Sequence, residues 1–198
     1  MSAAVLVIDI QEDFFRIEYA DQELGQKVKR ELVANINQLT SAARQAQIAV
    51  FFALTSLPSD PSAWNLRMRD IQTAGCIQGT PGEAPAQGLV IEARDVRVYK
   101  TRYTAFFRTN LEQELAARGA DTLIVCGINT HACVHMAAVD AFMRDLRVFI
   151  PEECTASYDR EQHDTSLKYM SRRIGLVVPL AEMLTRIREG NLTFRFTD

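Results

Sequence analysis

The sequence predicts one α/β domain over residues 1–198, a doubly wound, mainly parallel sheet of six strands with helices on both faces. Short β-rich runs alternate with longer helical patterns, the order produced by strand–helix–strand crossover units. The β-rich runs are almost continuously apolar instead of alternating, as strands covered on both faces require. A chain of 198 residues with 47% hydrophobic residues supports one substantial core, and it is short for two ordinary domains.

The run AAVLVIDI opens the chain as a central strand that stops at Asp9. Helical spacing follows from about 21 to 45, where Leu24, Val28, Leu32, Ile36 and Leu39 fall three or four residues apart on one predicted apolar face. IAVFFAL, over 48–54, reads as a second buried strand. Residues 55–93 hold Pro58, Pro61, Pro81 and Pro85 with Gly75, Gly79, Gly82 and Gly88, and show neither periodicity. So long an irregular connection is predicted to contain short helices and part of a pocket wall.

ARDVRVYK restores a strand ending near Tyr99 and Lys100, and Asn110 is placed to cap a helix that Gly119 closes. TLIVCG is a buried strand, followed after a short turn by a helix over about 132–144. LRVFIP, a helix over about 159–173, the short strand GLVVP and a helix over about 180–188 complete the alternation. The tail, about 190–198, contains LTFRF, whose alternation suits an edge strand or an arm that pairs with another subunit.

Charge narrows the possible partners. Lys and Arg total 22 against 25 Asp and Glu, so the net charge of −3 gives no global field for nucleic acid or an acidic membrane. No apolar run reaches the roughly 18 to 20 residues of a bilayer span, and no basic leader precedes the first strand, which predicts a cytoplasmic protein. The four cysteines form no CxxC pair, which fits thiols in a reducing compartment better than a disulfide framework.

Ligands of open parallel sheets bind beyond the carboxyl ends of the strands. Asp9 and Lys100 close two predicted strands, and Cys133 follows TLIVCG by one turn. Taken singly these are a turn residue, a solvated lysine and a small buried hydrophobe. Together they offer an acid, a cation and a thiol. A cysteine at a helix start gains thiolate character from unpaired N–H groups, and an adjacent ammonium would add to it. An aspartate could then take the thiol proton and return it to a leaving amine.

VIDIQEDFF, VYKTRYTAFF and GINTHACVHMAAVDAF, with CIQGTPGE between the first two, resemble the signature segments of the isochorismatase-like cysteine hydrolases. This family includes nicotinamidases, N-carbamoylsarcosine amidase, ureidoacrylate and biuret hydrolases, and isochorismatases. The resemblance covers about residues 3–180 and implies a Rossmann-like, isochorismatase-like fold. It also implies a catalytic triad of Asp9, Lys100 and Cys133, and a non-proline cis peptide at Ile128–Asn129. The backbone N–H groups of Asn129 and Cys133 would form an oxyanion hole, worth roughly 3 to 4 kcal/mol per donor where such donors have been tested. Phe14 and Tyr103 match pocket segments of the family, and a homo-oligomer, dimer or tetramer, is implied as well.

Departures from the family pattern narrow the substrate. The nicotinamidase metal motif, Asp-x-His after the second strand, is replaced here by LTSLPSDPSAW, and His131, His135 and His163 all lie elsewhere. No metal and no cofactor is therefore expected. His131 and His135, four apart in HACVH, make only a weak metal pattern. His131 is placed instead as a polar wall beside Cys133, and Trp64 as a ring over a small flat substrate. Arg94, Arg97, Arg102 and Arg108 flank Lys100, a grouping that could recognise a carboxylate substrate, but strand alternation sends them to different faces, so a solvated surface is expected. Cys76, Cys126 and Cys154 are read as structural.

These features point to a metal-independent cysteine hydrolase that cleaves a C–N bond of a small amide or ureide through an acyl-thioester on Cys133. The alternatives are isochorismatase-type vinyl ether hydrolysis, for which a cysteine is not required, and a catalytically idle binding protein of the same fold.

Overall fold

A computed structural model describes residues 2–17 and 19–196. Its centre is a parallel sheet built from β1 (Ser2–Ile8), β2 (Ala49–Thr55), β3 (Val96–Lys100), β4 (Ala120–Ile128), β5 (Arg147–Pro151) and β7 (Leu176–Val178), in the order β3-β2-β1-β4-β5-β7. Every pairing is parallel. A seventh strand, β6 (Thr155–Ala156), corrects the expected six. The registered pairs of β5 with β4 stop at Ile124, and β6 takes Gly127 and Ile128 farther along the same strand. Two residues are too few to show a period, so sequence reading could not find it.

Alternate residues of β1 enter two cores. Val5 and Val7 pack with Leu32, Ile36 and Leu39 of α2 (Gln22–Gln45) and with Met183 and Ile187 of α7 (Leu180–Glu189). Ala4, Leu6 and Ile8 pack on the other face with α4 (Leu111–Ala117), α5 (His135–Phe142) and α6 (Arg160–Arg173). The doubly wound arrangement follows directly from this period of two combined with apolar residues at both phases.

The predicted apolar face of α2 is rotated at its start, leaving Leu24 48% exposed. Gly25 is the cause. A Cβ there would stand 2.8 Å from the Phe15 carbonyl oxygen, so the helix meets α1 (Glu12–Arg16) through bare backbone, and its neighbour Leu24 turns outward. Near the other end of α2, the buried Arg44 guanidinium pairs with Asp95 through Nε (3.1 Å) and Nη2 (2.6 Å), tying the approach to β3 onto the helix. Asn110 stands before α4 without a side-chain cap; the Thr109 hydroxyl accepts from Leu111 N–H instead.

The irregular region contains one-turn helices at Pro61–Ala63 and Pro81–Glu83 and the short α3 (Leu66–Asp70). The tail departs from expectation. Leu192 is buried and the Phe194 ring meets Phe149 edge-on at 5.2 Å, so residues 192–196 cover this chain's own core without forming a strand. The last two residues of the predicted tail, 197–198, lie outside the described residues.

Candidate active site

The strand order reverses between β1 and β4, because the chain builds outward from β1 through β2 to β3 and then returns to the other side. The crevice at such a switch point is where an open α/β sheet takes its ligand. Asp9 leaves β1 with left-handed backbone (φ 56°), a conformation that aspartate tolerates better than most residues and that clusters at functional sites. Gly127 lies opposite Ile8 with φ 125°, and a Cβ there would fall 2.1 Å from the Ile8 carbonyl oxygen, so only glycine lets the two strand ends close up. The Ile128–Asn129 peptide that follows is cis.

Cys133 does not start an ordinary helix. Residues Thr130–Val134 form a wide π-type turn in which the Asn129 carbonyl accepts from both Ala132 N–H (3.0 Å) and Val134 N–H (3.2 Å) before α5 begins. Wide turns of this kind are frequent at functional sites. The turn sets the thiol inward, 4% exposed, against the ends of β1 and β3.

Asp9, Lys100 and Cys133 meet there. Lys100 Nζ lies 2.7 Å from Asp9 Oδ2 and donates to Cys133 Sγ at 3.6 Å and to the Arg102 carbonyl at 3.0 Å. Thr55, which no motif singled out, joins the first two: its hydroxyl donates to Asp9 Oδ1 (2.8 Å) and accepts from Lys100 Nζ (3.0 Å). Gln11 fixes Thr55 in turn, accepting from its N–H and donating to its carbonyl, both at 2.8 Å. Lys100 is paired with Thr55 across β2 and β3, which explains why the two side chains leave the sheet side by side.

Burial opposes the Lys100 ammonium, but Asp9, the Cys133 sulfur and the hydrogen bonds to both outweigh it and hold its pKa above the ordinary value. For Cys133 the balance falls the other way. Burial pushes the thiol up, Lys100 opposes this, and the Asp9 charge adds to the rise. Burial at this position thus works against the thiolate that a helix start was expected to favour.

A cavity of about 90 Å³ opens over Cys133. Phe14 and Tyr103 line it, as do Asn129, Thr55 and Lys100. Trp64 and His131 do not. Trp64 donates its indole N–H to the Pro58 carbonyl (2.8 Å), and its neighbours Asn65, Arg67 and Met68 form the wall it was expected to form. The His131 ring points behind the π turn, with Nδ1 2.6 Å from Ser157 Oγ and its plane edge-on to Tyr158. Cys76, read as structural, borders the cavity, with its thiol directed at the Gly82 carbonyl (3.7 Å). Arg102, expected on a solvated surface, borders it too.

The histidines do not fit a metal. His135 stacks on Tyr169, His163 Nδ1 is 2.8 Å from Thr130 Oγ1, and His131 is engaged as above. Among the described residues no three His, Cys, Asp or Glu side chains are grouped as metal ligands.

An open parallel sheet with a polar cluster at its switch point defines an α/β protein with a candidate ligand crevice. The Isochorismatase domain model matches residues 3–182, and the chain belongs to the isochorismatase family of hydrolases. Enterobactin synthase component B of Escherichia coli (strain K12) is 32% identical over 183 residues, covering 92% of this chain and 62% of that protein. The chain thus spans about three-fifths of the length of the curated relatives it first matches. A cysteine hydrolase of Pseudomonas syringae pv. phaseolicola is similar in structure, with a TM-score of 0.83, 28% identity, and 94% and 92% of the two chains covered. A nicotinamidase of Bacillus subtilis is similar at a TM-score of 0.78 and 27% identity, covering 90% of this chain and 100% of its own. No helix among the described residues is long and apolar enough to cross a membrane.

Proposed function

We propose that this chain is a metal-independent cysteine hydrolase of small amide or ureido C–N bonds. The observation that carries the reading is the placement of Cys133 Sγ, Lys100 Nζ and the Asp9 carboxylate around one buried point on a small cavity. Asp9 takes the Cys133 proton as the sulfur attacks the substrate carbonyl, and Lys100 offsets the charge that develops on sulfur. The backbone N–H groups of Asn129 and Cys133 hold the oxyanion. Asp9 then returns its proton to the leaving nitrogen, ammonia or an amine departs, and an acyl-thioester remains on Cys133. Water, deprotonated by Asp9, attacks the thioester carbonyl, and the thiol recovers its proton as the acid leaves.

The upward push of burial on the Cys133 thiol fits this sequence, in which the proton moves only as the sulfur attacks a carbonyl. Screening small amides and ureides by ammonia release, with Cys133→Ala as the control, tests the reading. It predicts turnover that the substitution abolishes. Release of pyruvate from isochorismate with no amide turned over would establish vinyl ether chemistry in its place.

A further inference from the structure

The charges around the cavity do not cancel. Lys100 is matched by Asp9, and the Asp13 carboxylate, also in the lining, is matched by Arg16 at 2.6 Å and by the Cys76 N–H at 2.8 Å. Arg67 and Arg102 remain. Among the described residues neither guanidinium has a carboxylate partner, although both border the cavity of a chain whose net charge is −3.

Arg102 is held in place by neutral groups. Its Nη1 donates to the Ala63 carbonyl (3.2 Å) and the Thr101 carbonyl (2.8 Å), and its carbon lies 5.9 Å from the centre of the Phe107 ring. Nε and Nη2 have no acceptor among the described residues, and that edge of a guanidinium is the one that forms paired hydrogen bonds with a carboxylate. Arg67, exposed on α3, is free to swing toward the same ligand. At the reacting end the requirement is different. Asn129 Oδ1 is buried in the lining without a hydrogen-bond donor among the described residues, and a substrate N–H would satisfy it.

We propose that the substrate is an anion, a small amide or ureide that carries a carboxylate held by Arg102 and Arg67 while its carbonyl lies against Cys133. This rests on the hydrolase reading for the identity of the reacting group, and the arginines select among the substrates that reading allows. A neutral amide of the same shape leaves both guanidinium charges unmatched.

Succinamate and succinamide are a matched pair, since both present a carboxamide and differ at the far end in carboxylate against carboxamide. Their binding to the full-length Cys133→Ser variant, which removes turnover, is measured by isothermal titration calorimetry. The expected result is succinamate binding at least about tenfold tighter, with a preference that shrinks as salt is added. Arg67→Gln and Arg102→Gln in that background should each reduce the preference and together abolish it, with succinamate affinity falling much more than that of succinamide. Arg67 is exposed at the cavity rim, so its variant is informative even if Arg102→Gln proves unstable. Equal affinities, no saturable binding of succinamate, or a preference that survives both substitutions overturns the proposal. Amide turnover that persists in Cys133→Ala would refute Cys133 as the nucleophile while leaving the charge preference to stand or fall on the binding data.

Discussion

Lys100 Nζ sits 2.7 Å from Asp9 Oδ2, with the two side chains 1% and 0% exposed. Removing both charges from water costs several kcal/mol per ion, which their attraction and added hydrogen bonds must offset. Apart from the contact with Cys133, those hydrogen bonds come from groups that do no chemistry themselves. Thr55 donates to one partner and accepts from the other, so its hydroxyl sets the geometry of the pair.

Thr55→Val keeps the shape of the side chain and removes that bridge. We expect kcat to fall by about 100-fold, the scale of a small misplacement of reacting groups, with KM little changed. Thr55→Ser should restore most of the loss. Steady-state kinetics on any accepted amide checks this, and a variant with full kcat would show that the bridge positions nothing.

Alkaline pH should destabilise the fold. The four cysteines are free and buried, and burial raises each thiol pKa above its ordinary value near 9.0. Unfolded thiols ionise near 9.0 while the folded ones keep their protons, so the native state binds more protons and stability falls as pH rises through that value. Each retained proton is worth about 1.4 kcal/mol at pH 10. Lys100, also raised, adds to the loss at still higher pH. Urea unfolding at pH 8 and pH 10 should show a drop of several kcal/mol, and a flat profile would contradict the assignment of buried, protonated thiols.

For the same reason Cys133 should react slowly with iodoacetamide at neutral pH, with a rate that climbs without a plateau up to pH 9. Peptide mapping of the alkylated site measures it. A plateau below pH 7 would mean a resting thiolate and would remove the need for Asp9 as the base.

The tail gives a separate stability test. Truncation after Gly190 removes the buried Leu192 and the Phe194 ring that packs on Phe149. The expected cost is about 2 to 4 kcal/mol, seen as a lower melting temperature with the oligomeric state by light scattering unchanged. Dissociation without loss of thermal stability would make the tail an arm between subunits.

Most of the strands were legible as apolar-rich runs, while β6 is too short to show a pattern; Asp9 and Lys100 were legible because they close such runs, and Cys133 because it follows one by a turn. What stayed hidden depended on distant pairing. Thr55 looks like an ordinary strand end until its register with Lys100 places it between two charges. Trp64 and Arg67 lie in the same irregular stretch, and only the start of α3 at Leu66 decides which of them reaches the cavity. The π turn that orients His131 backward has no period that an apolar pattern could reveal.

The central claim is that Cys133 carries the acyl group. Rapid acid quenching of the enzyme mixed with an accepted amide, followed by intact-mass and peptide mass spectrometry, tests it most directly. The account predicts a transient mass increase equal to the acyl group, located on the peptide containing Cys133 and absent from Cys133→Ala. Turnover with no adduct at any quench time, together with full activity in Cys133→Ala, would contradict it.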